Sequence, residues 1–237
     1  MRNASSTIMT MILAVAGAVL NTSARAEVSG LYFDLSLGQA NYSDFKKSEY
    51  DALTASTLDS FVTSGDIASW SIDSSKLDKG ATAFSAATGF RVNPYLAFDI
   101  GWLSTGQAQY RANVTADSNP YLGKISMSAS GPTIAIMGML PIGDKFEIRG
   151  RAGALFGRSF LDGYLQWPTG NDSYSVGEKS TDPFAGLSFA FNFTEQVSVY
   201  AGWQRIFNVG GDFTVGTTTN SVKSDVDNVL VGITFRQ

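Results

Sequence analysis

Asp99 occurs inside one of the greasiest runs of the chain, where Leu96, Phe98, Ile100 and Trp102 alternate with Ala97, Asp99 and Gly101. A second run puts Glu147, Arg149, Arg151 and Gly153 at every other position, opposed by Phe146, Ile148 and Ala152. Residues two apart on an extended strand share a face. Each run therefore carries one apolar face and one face with ionised groups. Charges held away from water must pair, because an unpaired desolvated charge costs several kcal/mol. Arginine meets a carboxylate through a bidentate fork without giving up its proton. Two behaviours are open to such a set: a fixed plug of ion pairs, or a gate whose pairs exchange partners and let small solutes pass.

Other chemistries are poorly supplied. The sequence contains no histidine and no cysteine, which removes the commonest general base, the thiol nucleophile and the usual soft metal ligands. The acidic stretch 43–80 has seven carboxylates but no calcium-loop spacing. Neither a cofactor nor a catalytic or metal site is expected. Of seventeen basic residues Arg2 and Arg25 fall in the leader described next, so the remainder carries fifteen basic against twenty-one acidic residues, a balance that argues against nucleic acid as a partner.

Residues 1–26 read as a cleavable export signal, with Arg2 near the start, an apolar stretch from Ile8 to Leu20 and Ala24-Arg25-Ala26 as the small-x-small site. Residues 27–237 then form one domain. No later apolar run approaches the ~20 residues of a membrane helix. An exported chain of this kind is soluble or a barrel, since closed barrels are the other structure that satisfies its own backbone in lipid.

Eight strand-type runs follow. The first, Gly30 to Tyr42, sets Leu31, Phe33, Leu35 and Leu37 against Tyr32, Asp34, Ser36 and Gly38. Tight turns are expected at Val92-Asn93-Pro94-Tyr95, Pro141-Ile142-Gly143-Asp144 and Thr194-Glu195-Gln196, and long polar loops at 43–80, 103–124, 162–181 and 208–222. Within the first loop Tyr50 to Thr63 predicts a helical turn or two, ended by Gly65. Alternating long and short connections put all short turns at one end. That is the layout of an all-β, eight-stranded antiparallel up-and-down transmembrane β-barrel with short periplasmic turns and long extracellular loops. Tyr95, Trp102, Phe146, Phe193 and Trp203, near strand ends, suit interfacial aromatic girdles. A soluble lipocalin-like barrel would bury the apolar face instead. Its lumen could not then be the face bearing Asp99, Arg149 and Arg151.

The stretch FRVNPYLAFDIGWLSTG (Phe90 to Gly106) resembles the second hairpin of the outer membrane protein A transmembrane barrel family. Pro141-Ile142-Gly143-Asp144 running into IRGRAG (Ile148 to Gly153), PFAG (Pro183 to Gly186) and the closing GITFR (Gly232 to Arg236) extend the resemblance along the chain. It implies a barrel in the cell outer membrane, with lipid and lipopolysaccharide around it and assembly by the barrel-assembly machinery through the last strand. It implies a structural or surface-interaction role, adhesin-like, with an extracellular ligand conceivable at 43–80 and 104–124; a narrow gated pore is the alternative. Asp99 falls on the family's interior carboxylate and Arg151 on a basic companion. The family's other basic positions match Ile136, approximately, and Tyr200, and its strand-six acid matches about Ser188. Asp99 must therefore draw on Arg149, Arg151 or Arg91. The closing Phe235-Arg236-Gln237 keeps the first of the two aromatics with which the family usually ends.

Overall fold

The computed structural model describes residues 30–215 and 218–237. The expected signal, 1–26, lies outside these residues. Strand β1 (Gly30–Tyr42) is followed by helix α1 (Lys47–Ser64) and by β2 (Trp70–Asp78), β3 (Gly80–Asn93), β4 (Leu96–Ala116), β5 (Asn119–Ile142), β6 (Phe146–Trp167), β7 (Gly170–Asn192), β8 (Val197–Val215) and β9 (Thr218–Arg236). Every pairing is antiparallel, and β1 joins β9 as well as β3, from Tyr32↔Arg236 to Tyr42↔Val226. With β4 bonded to β5 the sheet closes into a ring of eight wall strands, and β2 adds a ninth strand along the upper part of β4.

The large side chains of the membrane half point outward: Phe98 is 47% exposed, Ile100 59%, Trp102 50% and Leu187 60%. Asp99, Glu147 and Arg149 are 3%, 2% and 4% exposed. That settles the inside and outside of β5, whose sequence is ambiguous: Ile134, Ile136 and Leu140 face out while Thr133, Ala135, Met137 and Met139 face in. The expected girdle residues Tyr95, Trp102, Phe146, Phe193 and Trp203 are all exposed, with Phe146 stacked on Phe189. Ile100→Arg is therefore expected to cost about 2–4 kcal/mol in urea unfolding from bilayers, as a cation facing hydrocarbon does. Ser175→Arg, exposed on the polar projection of β7, should change stability by less than about 0.5 kcal/mol.

The long polar loops need correction. Most of 103–124, 162–181 and 208–222 is strand that carries the wall onward, with β4 turning into β5 at Asp117-Ser118, both at positive φ (47° and 66°). Two such residues give the hairpin turn whose twist matches the strands. At ~3.3 Å per residue, the 24 residues of β5 are far longer than the ~25 Å apolar band requires. The upper strands therefore stand outside the bilayer. Their outer face is polar (Gln107, Arg111, Asn113) and their inner face is apolar (Ala108, Tyr110, Ala112, Val114), the reverse of the membrane half.

A β-bulge makes the reversal. On β4 the even-numbered positions are apolar both below (Phe98, Ile100, Trp102) and above (Ala108, Tyr110, Ala112). The register slips between Ser104 and Gln107, where Gly106 takes φ +66°, and an extra residue swaps the faces. A second slip, between Ile206 and Val209 with Asn208 at φ 57°, does the same on β8: Trp203 is outside, Val209 and Phe213 inside.

Segment 43–80 is likewise not a loop. Helix α1 spans more than the turn or two predicted and stops at Gly65, whose φ of +82° suits a helix end. Leu58 packs toward the core formed by Tyr42, Phe45, Tyr50 and Tyr110, so the helix docks on the apolar cluster of the barrel's upper half.

Candidate functional site in the barrel lumen

All five residues expected inside the barrel are there, in two tiers. In the middle tier Arg151 forks onto Asp99, Nη2 to Oδ1 and Nε to Oδ2 (3.2 Å for the latter), and the Tyr32 hydroxyl donates to Asp99 at 3.3 Å. Beside them Asp34 accepts from the Tyr200 hydroxyl at 2.6 Å and from Thr234 at 2.9 Å. Of the three arginines available to Asp99, the structure selects Arg151. The lower tier is centred on Glu147, which takes Arg149 Nε at 2.6 Å and Arg91 Nη2 at 2.7 Å, with Arg236 at 3.6 Å. Arg149 also donates to Thr234 and Ser198, each at 2.9 Å, so Thr234 links the tiers by donating to Asp34.

Strand pitch places these groups. Asp34, Asp99, Arg149, Arg151 and Tyr200 come from β1, β4, β6 and β8, and each stands on the lumen side because its neighbours two residues away do. Asp34, Tyr32, Tyr200, Thr234 and Arg236 belong to the site although pairing chemistry on Asp99 and β6 alone does not single them out. The same alternation signals them, since Asp34 lies opposite Leu35 and Arg236 opposite Phe235. Tyr200, which the resemblance sets at a basic position, donates its hydroxyl to Asp34. Ile136, aligned approximately with another, needs correction as an interior position: it is 52% exposed and faces lipid.

Free space here is small. A cavity of about 40 Å³ touches Asp34, Asp99, Arg149, Arg151 and Tyr200, room for a few water molecules. Above it apolar side chains dominate the lumen, with Gln204, Asn228, Ser159 and Asp182 buried among them. Phe184 covers Arg151, its ring centroid 5.2 Å from the guanidinium carbon, and Leu103, Ala129, Leu155, Ile206 and Val226 are all fully buried around it. Higher still, the Tyr42 hydroxyl bonds Thr105 at 2.6 Å, and the rings of Phe45, Tyr50 and Tyr110 stack at 4.4 and 5.4 Å.

Asp51 fastens the helix to this cluster, accepting from Lys47 at 2.7 Å and from the Tyr110 hydroxyl at 2.6 Å. The bond from Lys47, then that from Tyr110, holds its carboxyl down at about 2, below the ordinary 3.8. A folded value below the unfolded one gives stability that is present above about pH 4 and lost as pH falls toward 2. The near-ultraviolet circular dichroism of the Tyr50–Tyr110 pair is expected to fade over that window, and Asp51→Asn to remove this acid-sensitive phase.

Comparison with known proteins agrees with this architecture. Two curated relatives, each called Outer membrane protein A, are 24% identical over 157 residues (Serratia marcescens) and 26% identical over 157 residues (Klebsiella pneumoniae), 66% of this chain in both cases. The chain spans about two-fifths of their length, 39% and 40%. The solved Neisserial surface protein A is similar over 89% of this chain and 100% of its own, at 14% identity and a TM-score of 0.45. The OmpA-like transmembrane domain model matches residues 26–237. A closed ring with lipid-facing hydrocarbon, paired charges within and that match together make the chain a member of the OmpA-like transmembrane domain family, an integral β-barrel of the outer membrane.

Proposed function

We propose that the protein is a closed structural barrel that spans the outer membrane and presents its upper strands and helix α1 to surfaces outside the cell. The observation that carries this is a lumen obstructed twice, by two tiers of ion pairs in the membrane half and by the apolar layer of Leu103, Leu155, Phe184 and Ile206 above them. An ion that passed the first obstacle would meet a packed layer at the second, where Gln204, Asn228, Ser159 and Asp182 are its few buried polar side chains and most of the ion's water would have to be stripped away. The charged tiers act as a plug, and export through residues 1–26 and assembly through β9 complete the reading.

Planar-bilayer recording tests it. Silence is the expected result, in the wild type and in Asp99→Asn alike. Steady single-channel steps that disappear in Asp99→Asn or Arg151→Gln would overturn the plug and establish a gated pore. Surface presentation is tested by adhesion assays on cells. Removing the exposed tip of the β6–β7 hairpin, residues 165–172, should abolish contact with the target surface and leave the barrel's heat-sensitive gel mobility intact. Deleting 43–80 is the wrong test for this role, because it also strips the cover from Tyr42 and Tyr110.

A further inference from the structure

The lower tier holds more positive charge than its carboxylate neutralises. Glu147 faces Arg91, Arg149 and Arg236, an excess of two guanidinium charges. Arg149 is saturated by Glu147, Thr234 and Ser198. Its companions are not. Arg236 reaches Ser198 at 3.3 Å and Glu147 at 3.6 Å. Arg91 donates through Nη2 to Glu147 and to the Pro94 carbonyl, while its buried Nε has no partner. Beneath lies a vestibule of about 520 Å³, walled by Arg91, Arg149 and Arg236, with Met137, Met139 and Tyr32 beside them and the turn residues Asp144, Lys145 and Glu195 at its rim.

We propose that this vestibule binds a phosphate group arriving from the periplasmic side, on a small phosphate monoester or a lipid headgroup. Two underused guanidinium forks suit phosphate oxygens bidentately. With Lys145, Asp144 and Glu195 at the rim the site as a whole keeps one positive charge, concentrated on its arginine wall, and a monoester carries ~1.5–2 negative charges at pH 7 to meet it. The volume falls within the range of small-ligand sites, ~300–1,000 Å³. Methionine and tyrosine side chains offer an apolar surface to the organic part.

The test is calorimetric titration of the folded barrel, in uncharged detergent at low salt, with inorganic phosphate, glycerol phosphate and, as a fixed-charge comparison, sulfate. Saturable one-site binding of both phosphates is expected, about tenfold weaker in Arg91→Gln and in Arg236→Gln and weaker at about 0.5 M salt, where the Debye length falls to a few Å. In the unmodified protein, phosphate affinity should rise between about pH 5 and 7.5 as phosphate gains its second charge near pH 6, and sulfate affinity should not rise with it. That pH comparison stands even if a variant fails to fold. Competition by phosphatidic acid, whose headgroup is a phosphate monoester, in nanodiscs marks the source as a headgroup, and its absence marks a soluble ester. No saturable binding of either phosphate, equal binding by the folded Arg91→Gln and Arg236→Gln proteins, or the same pH profile for sulfate and phosphate would overturn the proposal.

Discussion

Arg151→Met is expected to lower the unfolding free energy of the barrel by about 3–5 kcal/mol, the usual cost of leaving a buried charge without its partner. Arg151 is the counter-ion that forks onto Asp99, and Asp99 has a side chain with no accessible surface. The Tyr32 hydroxyl, at 3.3 Å, is a long and neutral substitute. The loss belongs to the abandoned carboxylate rather than to the missing arginine, so Asp99→Asn in the same chain should restore most of it. Replacing both members of a buried pair is often close to neutral, whereas removing one is not. Urea unfolding of the two single variants and the double variant in lipid vesicles measures the coupling. Additive losses would show that the two side chains do not depend on each other.

The second large effect is expected at Phe184, where Phe184→Ala should cost about 3–5 kcal/mol, the range for a fully buried ring deleted from a packed core. Phe184 is 2% exposed and lies at the junction of the two halves of the lumen, against Arg151 below and in the apolar layer above. A wall strand in a closed ring cannot slide inward to fill the void, because its backbone is bonded on both sides. Phe184→Leu, which keeps most of the volume, should cost less than half as much. Chemical unfolding of both variants decides the matter, and a small loss for Phe184→Ala would mean that the apolar layer is loosely packed.

Much of the site was readable from residue order. Strict alternation in 96–102 and 146–152 puts Asp99, Glu147, Arg149 and Arg151 on the face opposite the hydrocarbon; Asp99, Glu147 and Arg149 are buried inside and Arg151 reaches Asp99 there. The same rule applied to 31–37 and 229–236 marks Asp34 and Arg236, which complete the tiers. Partner choice was not readable. Arg149 and Arg151 share a face and a strand; Arg149 meets Glu147 two residues away on β6 itself, and it is the stagger of β6 against β4 that gives Asp99 Arg151 rather than Arg149. The polar segments between strands looked like loops because polar residues outnumber apolar ones there. Their inner positions, alanine and valine among them, are small and alternate with Gln, Arg and Asn, which is how a strand reads when water is outside it and a core within. Helix α1 was underestimated because its sequence has little one-sided hydrophobicity, and contact with Tyr42, Phe45 and Tyr110 in the upper half holds it in place.

The sequence by itself determined the period of two, the turns at 92–95 and 141–144, and the requirement that carboxylates and guanidinium groups on a shared face find one another. It could not determine which face is the interior, since alternation is symmetric between the two sides of a sheet. Closure of β1 onto β9 decided that for the membrane half, and the bulges at Gly106 and near Asn208 decided the opposite for the half in water. One apolar series along β4 thus meets lipid on one side of a single inserted residue and packs a core on the other. The medium around each half sets which arrangement removes hydrocarbon from water, and the ring with its bulges is the geometry that serves both.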